Sequence, residues 1–299
     1  MKDSYSNVSL VRICRLLGVT RQAFYQNSWQ VEATTVEEQL ILDQVRQLRR
    51  LHPVMGTRKL YCLMQPFLQE HQIKMGRDAL FDLLAINKLL VRKRRRWVKT
   101  TQSGHWYKKY PNLLKSWYPT GCDQLWVADI TYVPTGSGFL YLNLITDAYS
   151  HKIMGYCIAE SLETAYTAKA LQMALSQRES KNGSLVHHSD RGIQYCSHEY
   201  VTLLKRNKIK ISMTESGDPL ENPIAERVNG ILKQEYLDHY KIHNLQDANE
   251  LLKTIINRYN NQRPHQSINM LTPQTVHKNK ISVNQRWGKT VANMYLVNQ

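Results

Sequence analysis

The sequence predicts an α/β protein, a mixed five-stranded sheet with flanking helices, preceded by all-α helix-turn-helix-like modules. Three observations predict it. Downstream of residue 119 the apolar patterns follow the order βββαβαβα, a meander followed by alternating units, which calls for both antiparallel and parallel pairings. The first ninety residues carry only helical periodicity, broken at Gly and Pro. Between the two lies a stretch dense in Lys and Arg. The 299 residues, 42% of them apolar, have room for two domains or for one domain with appended modules. The divisions expected are residues 1–35 and 36–91 for two helix-turn-helix-like modules, 92–118 for a basic arm, 119–280 for the α/β core and 281–299 for a tail.

In the first module, "VSLVRICRLLGVTRQAFYQNSW" sets Val11, Leu16 and Leu17 at helical spacing. Gly18 ends that helix, and Thr20 can cap a second one carrying Ala23 and Phe24. The second helix would bring Arg21, Gln22 and Tyr25 towards DNA, although a helical hairpin that only packs would show the same pattern. In the second module "VEEQLILDQVRQLRRL" has a helical period, and "HPVMGTRKLYCLMQPFLQEH" restarts after Pro53 and Gly56 and should bend at Pro66. "GRDALFDLLAINKLL" is a third helix, led by Arg77. Three short helices with tight joints fit a helix-turn-helix-like unit or a plain bundle.

From Lys88 to Lys109 there are nine basic residues and no acid, with Trp97, Trp106 and Tyr107 among them. Density, single sign and interleaved aromatics favour a phosphate-tracking arm over a solvated charge run, with Arg92, Lys93, Arg94, Arg95, Arg96 and Trp97 as DNA contacts. The whole chain agrees: 40 Lys and Arg against 24 Asp and Glu leave a net charge of +16, which favours a polyanionic partner. A membrane fits less well. No run of about 18 apolar residues is present, and "MKDSYSNVSL" lacks a basic-then-apolar signal. The five cysteines are odd in number, scattered and free of CxxC pairs, so neither a disulfide framework nor a zinc site is indicated, and a reducing cytoplasm is expected.

In the core, "QLWVADITYVP" is a strand joined by the "TGSG" turn to "GFLYLNLITDAYS", and "HKIMGYCIAES" is a third. "ETAYTAKALQMALSQRE" is an amphipathic helix and "SLVHHSD" a fourth strand. "SHEYVTLLKRNK" is a helix with a Ser197 cap, "IKISMTES" a fifth strand, and a last helix opens at Asn222-Pro223.

One residue is out of place in this pattern. Asp129 sits inside the first strand, where a carboxylate is costly to desolvate unless a cation answers it. Asp190 ends the fourth strand, so adjacent strands one and four would bring the two together. After a gap of thirty-five residues, Glu226 falls in the first turns of the last helix. Lys233, seven residues later, turns about 700° and shares its face, whereas Glu235 lies about 180° away. Oxygen donors gathered from separate elements suit Mg²⁺ or Mn²⁺, and two such ions can activate an attacking oxygen and stabilise a leaving one. Each acid also has a plain reading: an Arg partner for Asp129, a loop cap at Asp190, a favourable helix start at Glu226. Asp147 can bond its own loop, and Asp218 and Glu221 belong to the loop before the last helix. His187 and His188 point to opposite faces of their strand and cannot easily share an ion. A structural role suits them, with a substrate contact open for His188.

"WVADITYV", "HHSDRGIQYCS", "NPIAERVNGILKQEYL" and "YNNQRPHQSINMLTPQTV" together resemble the integrase-like transposases of bacterial insertion sequences, more narrowly the second-frame product of the two-frame, copy-out and paste-in type. The resemblance runs from about Val36 to Pro273 and is strongest after Asp123. It implies a ribonuclease-H-like core that uses Mg²⁺ or Mn²⁺, two ions per active site, to cleave and join DNA strands. Asp129, Asp190 and Glu226 match the family's catalytic and metal-binding triad and Lys233 its basic residue on the catalytic helix. Arg227, Arg263 and His265 join Arg21, Arg77 and the arm as DNA contacts. Ala128, His151, Ile193 and Cys196 depart from the usual pattern without removing a metal ligand. The paired His and Cys zinc module of retroviral integrases is absent.

The resemblance further implies that water cleaves a phosphodiester at an element end and that the freed 3′-hydroxyl attacks a second one. The partners implied are element ends and target DNA, other copies of the chain on that DNA, and the upstream-frame product. The location implied is the bacterial cytoplasm, at the nucleoid. Two rivals remain at this stage: a catalytically silent DNA-binding regulator, and a hydrolytic nuclease on the same core.

Overall fold

The computed structural model describes residues 9–91, 107–115, 117–136, 138–179, 184–215 and 221–283. It divides into two compact units, Met1–Leu51 with Met64–Leu90, and His52–Leu63 with Val91–Gln299.

The first unit is helical. α1 (Leu10–Leu16) ends before Gly18, whose φ of 67° suits a residue without Cβ, and the Thr20 hydroxyl accepts from Ala23 N at 3.0 Å to cap α2. α2 then runs unbroken from Arg21 to Leu51, straight through the expected division at residues 35 and 36. The reason is compositional, since no Gly or Pro occurs between Gly18 and Pro53. α3 (Thr57–Glu70) contains Pro66, and α4 (Arg77–Ile86) follows Gly76 as expected. Ile41, Leu42, Val45, Met64, Leu68, Leu80, Leu83 and Leu84 are buried, whereas Val11, Leu16 and Leu17 are exposed and Cys14 is the buried residue of α1.

The second unit holds five strands: β1 (Leu125–Thr135), β2 (Gly138–Asp147), β3 (Ile153–Ala159), β4 (Val186–Ser189) and β5 (Lys210–Met213). Their order is β3-β2-β1-β4-β5; β2 is antiparallel to both neighbours, while β4 is parallel to β1 and β5 to β4. This is the mixed five-stranded sheet that the sequence predicts. Side chains alternate across β1 and separate its two faces. Trp126 and Ala128 pack with Leu171 and Ala174 of α5 (Thr164–Ser176) and with Tyr200 and Leu204 of α7 (His198–Arg206), which follows the short α6 (Ile193–Cys196). Leu125 and Val127 meet Ala225 of α8 (Pro223–Ile231), and Val133 lies with Val228 and Ile231 and with Leu252 and Tyr259 of α9 (Leu245–Asn261). Odd positions of β1 therefore face α8, and Asp129 is an odd position.

Several boundaries differ from expectation. Leu113, Leu114 and Trp117 pack on the Leu125–Val127 cluster, and Leu113 N donates to Ser212 Oγ at 2.9 Å, so the end of the expected arm belongs to the core. Past α10 (Pro273–Asn279) the core continues to Val283, whose N–H donates to the Tyr149 hydroxyl at 3.0 Å. The helix expected to open at Asn222-Pro223 widens into a π turn at Leu232–Tyr236. The wider turn lets two adjacent residues both reach partners: Glu235 meets Arg263 and Lys59, and the Tyr236 hydroxyl lies 2.7 Å from His52 Nδ1.

Candidate active site

Asp129 is 9% exposed and held from two sides. Its Oδ1 accepts from Ile130 N at 2.9 Å, and its Oδ2 accepts from Asn229 Nδ2 of α8 at 2.7 Å. Asn222, at the start of α8, donates from Nδ2 to Ala128 O at 3.0 Å. These two amides pin α8 along β1; the sequence gives Asn222 only as the helix start and does not single out Asn229. An asparagine one turn from each side of a helical carboxylate was the available signal.

Asp190 lies just past β4. The last paired residues of β1 and β4 are Val127 and His188, and Asp129 and Asp190 each follow two residues later. The two acids thus leave neighbouring parallel strands at the same level. Gly192 N donates to Asp190 Oδ1 at 3.0 Å and fixes the loop. The Tyr195 hydroxyl registers both acids: burial pushes its pKa well above the usual value, and Asp190, Tyr200 and Asp129 each push further. Glu226 is exposed in the first turn of α8. It is four residues after Asn222 and three before Asn229, about 40° and 60° around the helix from them in the same sense, so it lies beside the side that addresses β1 at Ala128 and Asp129.

Among the described residues, the three acids do not form a set whose oxygens all lie within 4.8 Å of one another. A shared pair of ions asks for less. With ions ~4 Å apart and each ~2.1 Å from its ligand, the oxygens can be roughly 8 Å apart. The all-oxygen donor set fits a hard divalent cation. The group that does meet the 4.8 Å spacing is Cys122, Asp147 and His277, which the sequence reading did not pick out. Its polar atoms are already used: Asp147 Oδ1 accepts from Ser150 N and Oγ, both at 2.8 Å, Oδ2 accepts from Asp123 N at 2.8 Å, and His277 Nδ1 lies 3.0 Å from Ser150 Oγ. Asp147 bonds its own loop, as expected.

The histidine pair is structural in its contacts. His187 Nε2 lies 2.9 Å from the Tyr200 hydroxyl. His188 Nε2 donates to Glu221 O at 3.0 Å and Nδ1 faces Ser212 Oγ at 2.9 Å, which ties β4 to the approach of α8. Burial pushes the two down to about 3 and about 4, so both rings are neutral.

The basic residues divide. Arg21 and Arg77 are exposed at the first positions of α2 and α4, and Arg227 is exposed on α8. Lys233 is half-buried and borders a recess with Val133, Pro134 and Tyr240, four to five residues along β1 from Asp129. Arg92, Lys93, Arg94, Arg95, Arg96 and Trp97, with Asp218, Arg286 and Trp287, lie outside the described residues. Arg263 and His265, expected as DNA contacts, are drawn inward. They are 1% and 5% exposed. Arg263 donates from Nε and Nη2 to Glu235 at 2.8 and 2.7 Å, and its Nη1 lies 2.9 Å from His265 Nε2. Polar residues in a Pro-flanked turn read as surface, yet Glu235, turned away from Asp129 as expected, supplies the half-buried partner that draws Arg263 inward.

Models of the integrase core domain match residues 119–219 and 207–273. The chain is 36% identical over 266 residues to the insertion element IS600 uncharacterized 31 kDa protein of Shigella sonnei, covering 87% of this chain and 96% of that one. It is 32% identical over 227 residues to the transposase for insertion sequence element IS629 of Shigella sonnei, covering 76% and 75%. Similarity to transposase InsF for insertion sequence IS3fB of Escherichia coli is 27% over 271 residues, covering 89% and 93%. With an integrase core and near full-length likeness to insertion-sequence proteins, the chain belongs to the integrase-like transposases of bacterial insertion sequences.

Proposed function

We propose that the protein is a metal-dependent DNA transposase that cleaves the ends of its element and joins them to a second site through the freed 3′-hydroxyl. Asp129, Asp190 and Glu226 form its catalytic triad and bind two Mg²⁺ or Mn²⁺ ions. The observation that carries this reading is the Asn229–Asp129 hydrogen bond, which docks the helix bearing Glu226 against the strand bearing Asp129, level with Asp190. Asp129, Asp190 and Glu226 would hold the divalent ions, which when bound would supply activation of the attacking oxygen and stabilisation of the leaving one.

The chain's own residues do the rest. Ile130 N and Asn229 Nδ2 hold the Asp129 carboxylate in one orientation. Asn222 fixes the start of α8 and hence the reach of Glu226. Arg227 and Lys233 offer positive charge to the phosphates of the bound strand, and Arg21, Arg77 and the 92–97 arm extend that contact. Several copies assembled on DNA ends, with or without an upstream-frame product, complete the proposal.

Incubation of the full chain with the element's terminal DNA and Mg²⁺ tests it, with products resolved by size. Cleaved and joined strands that vanish with EDTA are expected. Nicks without joining would indicate a nuclease, and binding without cleavage a silent regulator. Asn229→Ala should lower joining roughly 10–100-fold while the unfolding temperature changes little, because it releases an orienting contact and no metal ligand. An unchanged rate would remove Asn229 from the machinery.

A further inference from the structure

Within the second unit, Tyr195 is buried close to the two aspartates, and the proposed chemistry does not use it. It sits in α6, five residues after Asp190, and is 2% exposed. Its ring packs in the core cluster with Trp126 and Ala128, edge-to-face with Tyr200 at 5.5 Å and tilted against His187 at 6.1 Å between centroids. Tyr195 N donates to Gly192 O at 3.1 Å, and Gly192 N donates to Asp190 Oδ1 at 3.0 Å. The turn is so tight that a Cβ added at Gly192 would lie 3.0 Å from Asp190 Oδ1 and 3.6 Å from Tyr195 Cδ2. Carboxylate and ring therefore border the same small space.

The hydroxyl is the unexplained part of this residue. It is buried and has no hydrogen-bond partner among the described residues, a costly state for a donor. The Tyr200 hydroxyl does not answer it, being engaged with His187 Nε2 at 2.9 Å. Besides burial, the groups acting on the Tyr195 hydroxyl are Asp190, Tyr200 and Asp129, in that order, and two of these are carboxylates. Neither carboxylate accepts from it here, and the oxygens of the three acids do not all lie within 4.8 Å of one another. Divalent cations relieve the repulsion between neighbouring carboxylates and draw them towards a shared site. Carboxylates that ligate a metal are in turn held by hydrogen bonds from outside the ligand set. A buried donor beside two such acids is placed to make that bond.

We propose that Tyr195 is a positioning residue for the metal site, its hydroxyl donating to the Asp190 carboxylate once divalent ions are held there. The proposal rests on the reading of Asp129, Asp190 and Glu226 as metal ligands and adds the core residue that steadies one of them. The cost of the unanswered donor falls on the ion-free state and is recovered on binding.

Mn²⁺ binding by the full chain, read from the electron paramagnetic resonance of free Mn²⁺, tests this without any turnover. Tyr195→Phe keeps the ring and removes the donor, and should weaken Mn²⁺ binding roughly tenfold. Its unfolding temperature in EDTA should equal or exceed that of the unsubstituted chain, because the ion-free state loses an unanswered donor and no bond. Asp129→Asn is measured alongside. Weakened binding by Asp129→Asn with unaltered binding by Tyr195→Phe overturns the role of Tyr195 and leaves the triad in place. Unaltered binding by both variants, or no saturable binding of millimolar Mn²⁺ by the unsubstituted chain, overturns the triad and this proposal with it. A lower unfolding temperature for Tyr195→Phe in EDTA means that the hydroxyl already has a partner without ions, and that result also overturns the proposal.

Discussion

Asp129→Asn is expected to abolish strand cleavage and joining, with a fall of about a thousandfold or more, while DNA binding persists. The change keeps size and hydrogen-bonding shape but removes the charge that draws a cation into β1. It also sets an amide against Asn229 Nδ2, which now donates to Asp129 Oδ2 at 2.7 Å. Loss of one metal ligand withdraws several kcal/mol of transition-state stabilisation, and each ~1.4 kcal/mol is tenfold in rate. Arg21, Arg77 and Arg227, proposed as DNA contacts, are exposed and left intact, so gel-shift affinity should change little. Joining by this variant at the unsubstituted rate would eliminate the triad.

Arg263→Met should have the largest effect on stability. It leaves Glu235, 17% exposed at its side chain, facing only Lys59. Removing one partner of a buried pair costs about 3–5 kcal/mol, which lowers the unfolding temperature by roughly 10 °C in a core of this size. Pairing it with Glu235→Leu should restore much of the loss, because the stranded charge goes too. The same pair sets a pH dependence. Burial alone would raise the Glu235 pKa; the Arg263 hydrogen bonds and charge, with Lys59, more than reverse this, and the net pKa lies below 4.5. Its contribution is therefore complete above pH 4.5 and is lost as pH falls through the lower folded value. His187 and His188 act sooner. Both are kept neutral by burial, at about 3 and about 4, whereas unfolded histidines take up protons below about 6.5. Thermal melts should thus lose stability progressively from pH 6.5 towards 4, and a flat profile across that range would contradict these assignments.

Much of this was legible in the sequence because local patterns and tertiary demands agreed. The five strands and the helices between them announce themselves through β-branched runs, amphipathic spacing and caps such as Ser197, whose hydroxyl accepts from Tyr200 N at 3.3 Å. Asp129 stood out because a lone carboxylate breaks an apolar strand face. What local pattern could not supply was partnership over long separations. Arg263 looked like a surface cation until Glu235, 28 residues away, was brought beside it. Asn229 looked like an ordinary helix residue, and only the packing of α8 on β1 gives it a carboxylate 100 residues distant. The π turn escaped for a related reason: nothing in "LKQEY" breaks a helix, and its cause lies in the partners of Glu235 and Tyr236.

The central claim is that Asp129, Asp190 and Glu226 together hold divalent ions. Iron-directed cleavage tests it most directly: Fe²⁺ replaces Mg²⁺ in the full chain, peroxide is added, and the backbone cuts are mapped by mass spectrometry. Cuts clustered near residues 129, 190 and 226, competed by excess Mg²⁺ and absent in Asp129→Asn, are the predicted result. Cuts confined to the Cys122, Asp147 and His277 cluster, or unaltered in that variant, would contradict it.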